Sequence, residues 1–151
     1  MHTFTLVFLT ALALTTLIQI WLATRHIRHI RAHQNTVPEK FSSQINLADH
    51  QKAADYTCAK TRTGYPGVVL QVALLLIFTL GGGLNALNSF WANWLGDPLA
   101  HGMALIISTF LLMGIAEVPL SYYRTFVIEE QYGFNKMTRA MFFTDLIKQS
   151  L

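Results

Sequence analysis

Among the side chains whose types could do chemistry, six stand out by spacing or position: His26, His29, His33, Glu117, Glu129 and Glu130. The histidines fall at i, i+3 and i+7, so a helix places them on one face, a spacing that can bind a metal. Arg25, Arg28 and Arg31 interleave with them and make the surroundings electropositive, which disfavours a divalent cation. Such a cluster beside a membrane span is what anionic lipid headgroups attract, so lipid contact or plain solvation is the reading taken. Glu129 and Glu130 are adjacent, about 100° apart on a helix, and cannot share a proton as a carboxylate dyad would. Glu117 lies near the end of an apolar run, two residues before Pro119. An ionisable group inside a span is a functional candidate because its desolvation costs several kcal/mol. Here it is close enough to the interface to reach water or an arginine, and structural pairing is expected. The chain has no nucleophile set beside a base, and no HExxH, CxxC, Walker loop or GxSxG. The residues alone describe a helical membrane module without chemistry of its own.

The elements that position these groups are apolar. Of 151 residues, 52% are hydrophobic and 13% charged, and the apolar ones are concentrated. Phe4 to Ala23 carries no charge, Val68 to Leu95 carries none, and Leu99 to Leu120 carries only Glu117. Each can cross ~30 Å of hydrocarbon, which predicts spans at approximately 4–24, 68–95 and 99–123. "MHTFT" has no basic n-region and no cleavage site precedes Arg25, so the first run reads as a span and not as a secretory signal. Cys58 is the single cysteine and cannot form an intrachain disulfide. The net charge of +3 is placed for a lipid bilayer, not for nucleic acid. Lys and Arg fill the loop 25–67 and the tail 124–151, whereas the connection between spans two and three carries only Asp97. The positive-inside rule then puts the N-terminus outside and both the loop and the tail in the cytosol. Trp91 and Trp94 fall at the outer interface, with Trp21, Tyr122 and Tyr123 at the inner one.

The first helix is expected to continue through "RHIRHIRAH" until Val37-Pro38 ends it. A second soluble helix follows from Leu47, with Asn46 as N-cap and Asp49 as a partial capping box. Leu47, Ala54 and Cys58 form a stripe at helical spacing, and "TGYPG" breaks this helix. The result is a cytosolic helical hairpin. Gly81-Gly82-Gly83 is read as close packing of span two in preference to a broken helix lining a wet cavity with Asn85 and Asn88. "TFVIEEQYGFNKMT" reads as a turn between helices, with Gly133 at positive φ and Asn135 capping "KMTRAMFF". The fold class is all-α integral membrane: three transmembrane helices, a cytosolic helical hairpin and a cytosolic C-terminal segment.

The stretch "PLSYYRTFVIEEQYGFNKMT" closely resembles the segment after an early span in the type I CAAX prenyl proteases. These are integral-membrane zinc endopeptidases that trim prenylated or other membrane-embedded peptides. "VPEKF" (Val37–Phe41) and "HQKAADYTCAKTR" (His50–Arg62) resemble two further blocks in the same order. The resemblance implies the N-terminal membrane domain of that family, which helps wall an intramembrane chamber. In a full-length member zinc is expected, held by an HExxH helix and a later glutamate. No residue here matches that motif, so the resemblance assigns this chain no catalytic residue, metal ligand or cofactor. The chain alone is expected to be inactive. Pro119, Phe126, Glu129, Glu130, Gly133, Phe134 and Asn135 are the family-like residues, and scaffold is their expected role. A catalytic half on a separate or continuing chain is the expected partner, in a bacterial inner membrane or an ER-type membrane. The competing class is a non-catalytic multi-span protein acting as an assembly or lipid-binding module.

Overall fold

The charge-free start of the chain folds as one helix, α1 (Thr3–His33), of 31 residues. At ~1.5 Å per residue it is about 46 Å long, so its basic last third extends beyond a ~30 Å hydrocarbon layer. The hydroxyls of Thr10, Thr16 and Thr24 donate to the carbonyls of Leu6, Leu12 and Ile20 at 2.7–2.8 Å, which removes their cost at bilayer depth. The helix ends at His33, before Val37-Pro38. Asn35, Thr36 and Val37 are weak helix formers, and the Thr36 amide closes a turn onto the His33 carbonyl instead. This computed structural model describes residues 2–149, the side chain of Gln149 excepted. Among them there is no strand, and three helical stretches are long and apolar enough to cross a membrane: Thr3–His33, Leu47–Thr79 and Pro98–Glu129.

The chain divides into two compact units. One comprises Met1–Val68 with Tyr122–Asn135, the other Val69–Ser121 with Lys136–Leu151. In the first, a single 3₁₀ turn (Glu39–Phe41) leads to α2 (Leu47–Arg62). The Asn46 side-chain oxygen accepts from the Asp49 amide at 2.7 Å. Its amide group donates to the Asp49 carboxylate, also at 2.7 Å. The cap is thus the expected one, closed side chain to side chain. Ala54 and Cys58 are buried, but Leu47 at the helix start is exposed and leaves the stripe. The expected break at "TGYPG" shrinks to Thr63 alone, because α3 (Gly64–Thr79) begins at the next residue. Pro66 is the third residue of α3, where the missing amide has no helical partner to lose.

In the second unit the triple glycine interrupts span two. Helix α3 stops at Thr79 and α4 (Gly83–Ala92) starts after Gly82, whose φ is +79°. A Cβ on Gly81 would meet the Ile77 carbonyl oxygen at 2.8 Å, so the chain folds back over its own last turn. The unbroken, closely packed span is therefore corrected to a broken one. The Trp91 indole donates to the Ser108 hydroxyl at 3.0 Å, tying α4 to α5 (Pro98–Tyr123). Asp97 accepts from the Ala100 amide at 2.8 Å and Pro98 opens the helix, a sharp N-terminal start. Pro119 lies inside α5, and the helix does not end there. It continues as a π-helical turn, Arg124–Glu129. The last helix, α6 (Arg139–Gln149), is preceded by Thr138, whose hydroxyl accepts from the Met141 amide at 3.2 Å.

Candidate functional site

The segment singled out from sequence is helical for longer than expected. Thr125 to Gln131 completes the helix begun at Pro98, and only Tyr132 to Thr138 turns. A proline in a helix removes one amide donor and crowds the preceding turn. A π-turn, which shifts the hydrogen-bond register by one residue, follows Pro119 within two helical turns. Three interactions inside the first unit hold that turn in place. Phe126 stacks on Tyr122 at 4.6 Å between ring centroids. Ile128 is buried. Arg124 donates from Nη2 to the Thr63 carbonyl at 3.1 Å, so a guanidinium sits on the C-cap of α2, where positive charge is favoured.

The helix ends in a Schellman cap. The Gly133 amide donates to the Glu130 carbonyl at 3.0 Å and the Phe134 amide to the Glu129 carbonyl at 2.8 Å. The Asn135 amide also reaches the Glu129 carbonyl, at 3.1 Å. Gly133 has a φ of +76°, as its place after a helix predicts. A Cβ there would find only the Lys52 Nζ, at 3.8 Å, so the backbone angle and not the space demands glycine. The cap sets Phe134 against Tyr56 of α2, 4.5 Å between centroids, and Tyr132 edge-on to the same ring at 5.6 Å. Lys52 Nζ stands 5.8 Å from the Phe134 ring and Lys60 Nζ 5.6 Å from that of Tyr56. Two cations thus flank an aromatic triad.

Phe126, Glu129, Glu130, Gly133, Phe134 and Asn135 are therefore gathered at one helix end, whereas Pro119 belongs to the other unit. Tyr56, Lys52, Arg124, Thr63 and Tyr132 complete the site and were not singled out from sequence. No local pattern links residue 56 to residue 134; only the shared aromatic character of Tyr56, Tyr132 and Phe134 hints at it. Glu129 and Glu130 contribute backbone carbonyls to the cap, and their carboxylates form no ion pair among the described residues. Glu117 likewise lacks the expected pairing among those residues; it borders an apolar cavity of about 920 Å³ between α5 and α6. His29 and His33 stack at 4.3 Å, and His33 Nδ1 is held 2.8 Å from the His29 carbonyl. No group of three or more His, Cys, Asp or Glu among the described residues is placed to hold a metal ion. The described contacts of this site brace helices.

A family model described as CAAX prenyl protease N-terminal, with five membrane helices, matches residues 26–151. The CAAX prenyl protease 1 homolog of Caenorhabditis elegans is 32% identical over 126 residues, covering 82% of this chain and 28% of that protein. The probable CAAX prenyl protease 1 of Schizosaccharomyces pombe is 38% identical over 127 residues, 74% of this chain and 26% of that protein. The chain thus spans little more than a quarter of the length of these curated relatives. The crystal structure of S. mikatae Ste24p has the same fold, with a TM-score of 0.86 at 21% identity, over 99% of this chain and 36% of that one.

Proposed function

The chain belongs to the CAAX prenyl protease family through its N-terminal membrane domain, and from that premise we propose that it walls an intramembrane chamber for a zinc endopeptidase. The substrates of that enzyme are prenylated or other membrane-associated peptides, and its zinc ligands come from a catalytic half supplied by other residues. The site at the end of the third span is scaffold for that assembly. What supports this reading most is the match of residues 26–151 to the family's N-terminal membrane domain, together with the Schellman cap that braces the end of the third span. Zinc, when bound by the catalytic half, activates the attacking water; the residues of this chain hold helices in position.

Co-expression with a candidate catalytic half carrying HExxH tests the assignment. The pair is expected to co-purify and to cleave a prenylated peptide in a zinc-dependent way, while the 151-residue chain alone does neither. Glu129→Gln with Glu130→Gln should leave activity per complex within about twofold, as expected of groups outside the chemical step, with any effect falling on the yield of complex. A normal yield with activity abolished would make one of these glutamates a direct participant.

The protein is integral to a membrane, and its orientation follows from charge. We assign the N-terminus to the outside and the 25–67 loop and the 124–151 tail to the cytosol, supported by the Lys and Arg asymmetry. Ser43 and Asn93 are both exposed. In a Cys58→Ala background, a cysteine placed at Ser43 should react with an impermeant maleimide only from the cytosolic side, and one at Asn93 only from outside. The reverse pattern would invert the topology.

A further inference from the structure

The histidines and the arginines of α1 occupy different faces. At about 100° per residue, Arg25, Arg28 and Arg31 fan over about 120°, a sector that also holds Leu17, Trp21 and Thr24. His26, His29 and His33 fall within about 60° of one another on a face roughly 130° away. On the histidine face, which is also exposed, two rings stack on each other, and His50 of α2 stands 3.4 Å from the His33 carbonyl. The arginine face is open. Arg25 and Arg28 are exposed and make no hydrogen bond to the protein among the described residues. The Arg25 guanidinium lies 5.5 Å from the Trp21 ring centroid. Together with Leu17, Ile20 and Thr24 these residues line a groove of about 530 Å³, apolar toward the membrane and cationic beyond it.

We propose that this groove binds an anionic glycerophospholipid, with the phosphate bridged by Arg25 and Arg28 and an acyl chain lying along Leu17 and Ile20. A guanidinium presents a planar fork of donors that matches phosphate oxygens in pairs. The ring of Trp21 limits the freedom of Arg25 and so reduces the entropy lost on binding. Arg28 follows three residues on, a rise of ~4.5 Å, within reach of the same phosphate. The Thr24 hydroxyl adds no donor, because its hydrogen goes to the Ile20 carbonyl and it accepts from the Tyr65 hydroxyl. Recognition therefore rests on the two arginines. Leu17, Ile20 and Trp21 are exposed beneath them, and that apolar floor favours a lipid over a soluble phosphate. The proposal depends on α1 crossing a bilayer and not on the protease reading.

Native mass spectrometry of the purified 151-residue chain in detergent tests it, with dioleoyl phosphatidylglycerol, dioleoyl phosphatidylcholine and free glycerol phosphate as probes. Phosphatidylglycerol should be retained about tenfold or more over phosphatidylcholine. Arg25→Gln with Arg28→Gln should erase that preference, with helix content by circular dichroism unchanged. His26→Gln with His33→Gln should preserve it. Equal retention of the two lipids by the unmodified chain would overturn the proposal, as would undiminished phosphatidylglycerol binding in the arginine variant. Equal loss in the histidine variant would assign the contact to the wrong face. Displacement of phosphatidylglycerol by an equal concentration of glycerol phosphate would show an anion site without an acyl groove, and the lipid assignment would fall.

Discussion

Gly133→Val is expected to accelerate maleimide labelling of Cys58 by roughly 5- to 150-fold, the equivalent of ~1–3 kcal/mol of backbone strain. Cys58 is the chain's single cysteine and is buried in α2, two residues beyond Tyr56. Its labelling therefore reports local opening of the unit that contains α2 and the helix cap. Valine is β-branched and strongly disfavours the φ of +76° seen at Gly133. If the cap unwinds, Phe134 and Tyr132 lose their places on Tyr56 and α2 is released. Gly133→Asn should be milder, since asparagine tolerates left-handed geometry. The space around this position is open, so the order Gly, Asn, Val tracks backbone conformation and not bulk. Equal rates for all three would mean that the cap does not hold α2.

Arg124→Met should have a comparable effect from the other end of α2. The methionine keeps much of the apolar stem and deletes the donor to the Thr63 carbonyl. Thr63 is buried, so its carbonyl would lose a charge-assisted partner at a cost of ~1.5–3 kcal/mol. Part of that is offset, because Arg124 Nε is itself buried without a hydrogen-bond partner among the described residues. A five- to fiftyfold rise in Cys58 labelling is expected, with hydrogen exchange speeding most in the last turn of α2. Arg124→Lys should recover only part of the loss, since an ammonium is a strongly hydrated point donor without the planar fork. Unchanged exchange at Lys60 to Thr63 in the methionine variant would remove Arg124 from the bracing of the helix.

The helices could be read wherever one signal dominated. Long apolar runs mark α1 and α5, and Asn46 with Asp49 marks the start of α2. The sequence also located the turn at Gly133, because a glycine after a helical run is the usual way to reverse the chain. It misplaced the ends that tertiary contacts decide. Pro119 and the polar residues after it look like a helix terminus, yet Arg124, Phe126 and Ile128 each find a partner or a buried place that rewards one more helical segment. Pro66 looks like a breaker and instead sits in a first turn. The triple glycine was ambiguous in principle, since close helix packing and a left-handed kink ask for the same residue. The docking of Phe134 on Tyr56 was hidden because nothing local couples residues that far apart.

The kink at Gly82 has a consequence for where this span can reside. Helix α4 has 10 residues, about 15 Å at ~1.5 Å per residue, too short to cross ~30 Å of hydrocarbon by itself, whereas the helical stretch Leu47–Thr79 before the kink is long enough. Between them the opening amides of α4 have no helical acceptors. Bare peptide groups facing lipid tails cost several kcal/mol each, so lipid cannot be their neighbour. Hydration or the polar surface of another polypeptide must cover them. Where such a break falls within the hydrocarbon it is an address: it fixes one side of the span as the side turned away from the lipid.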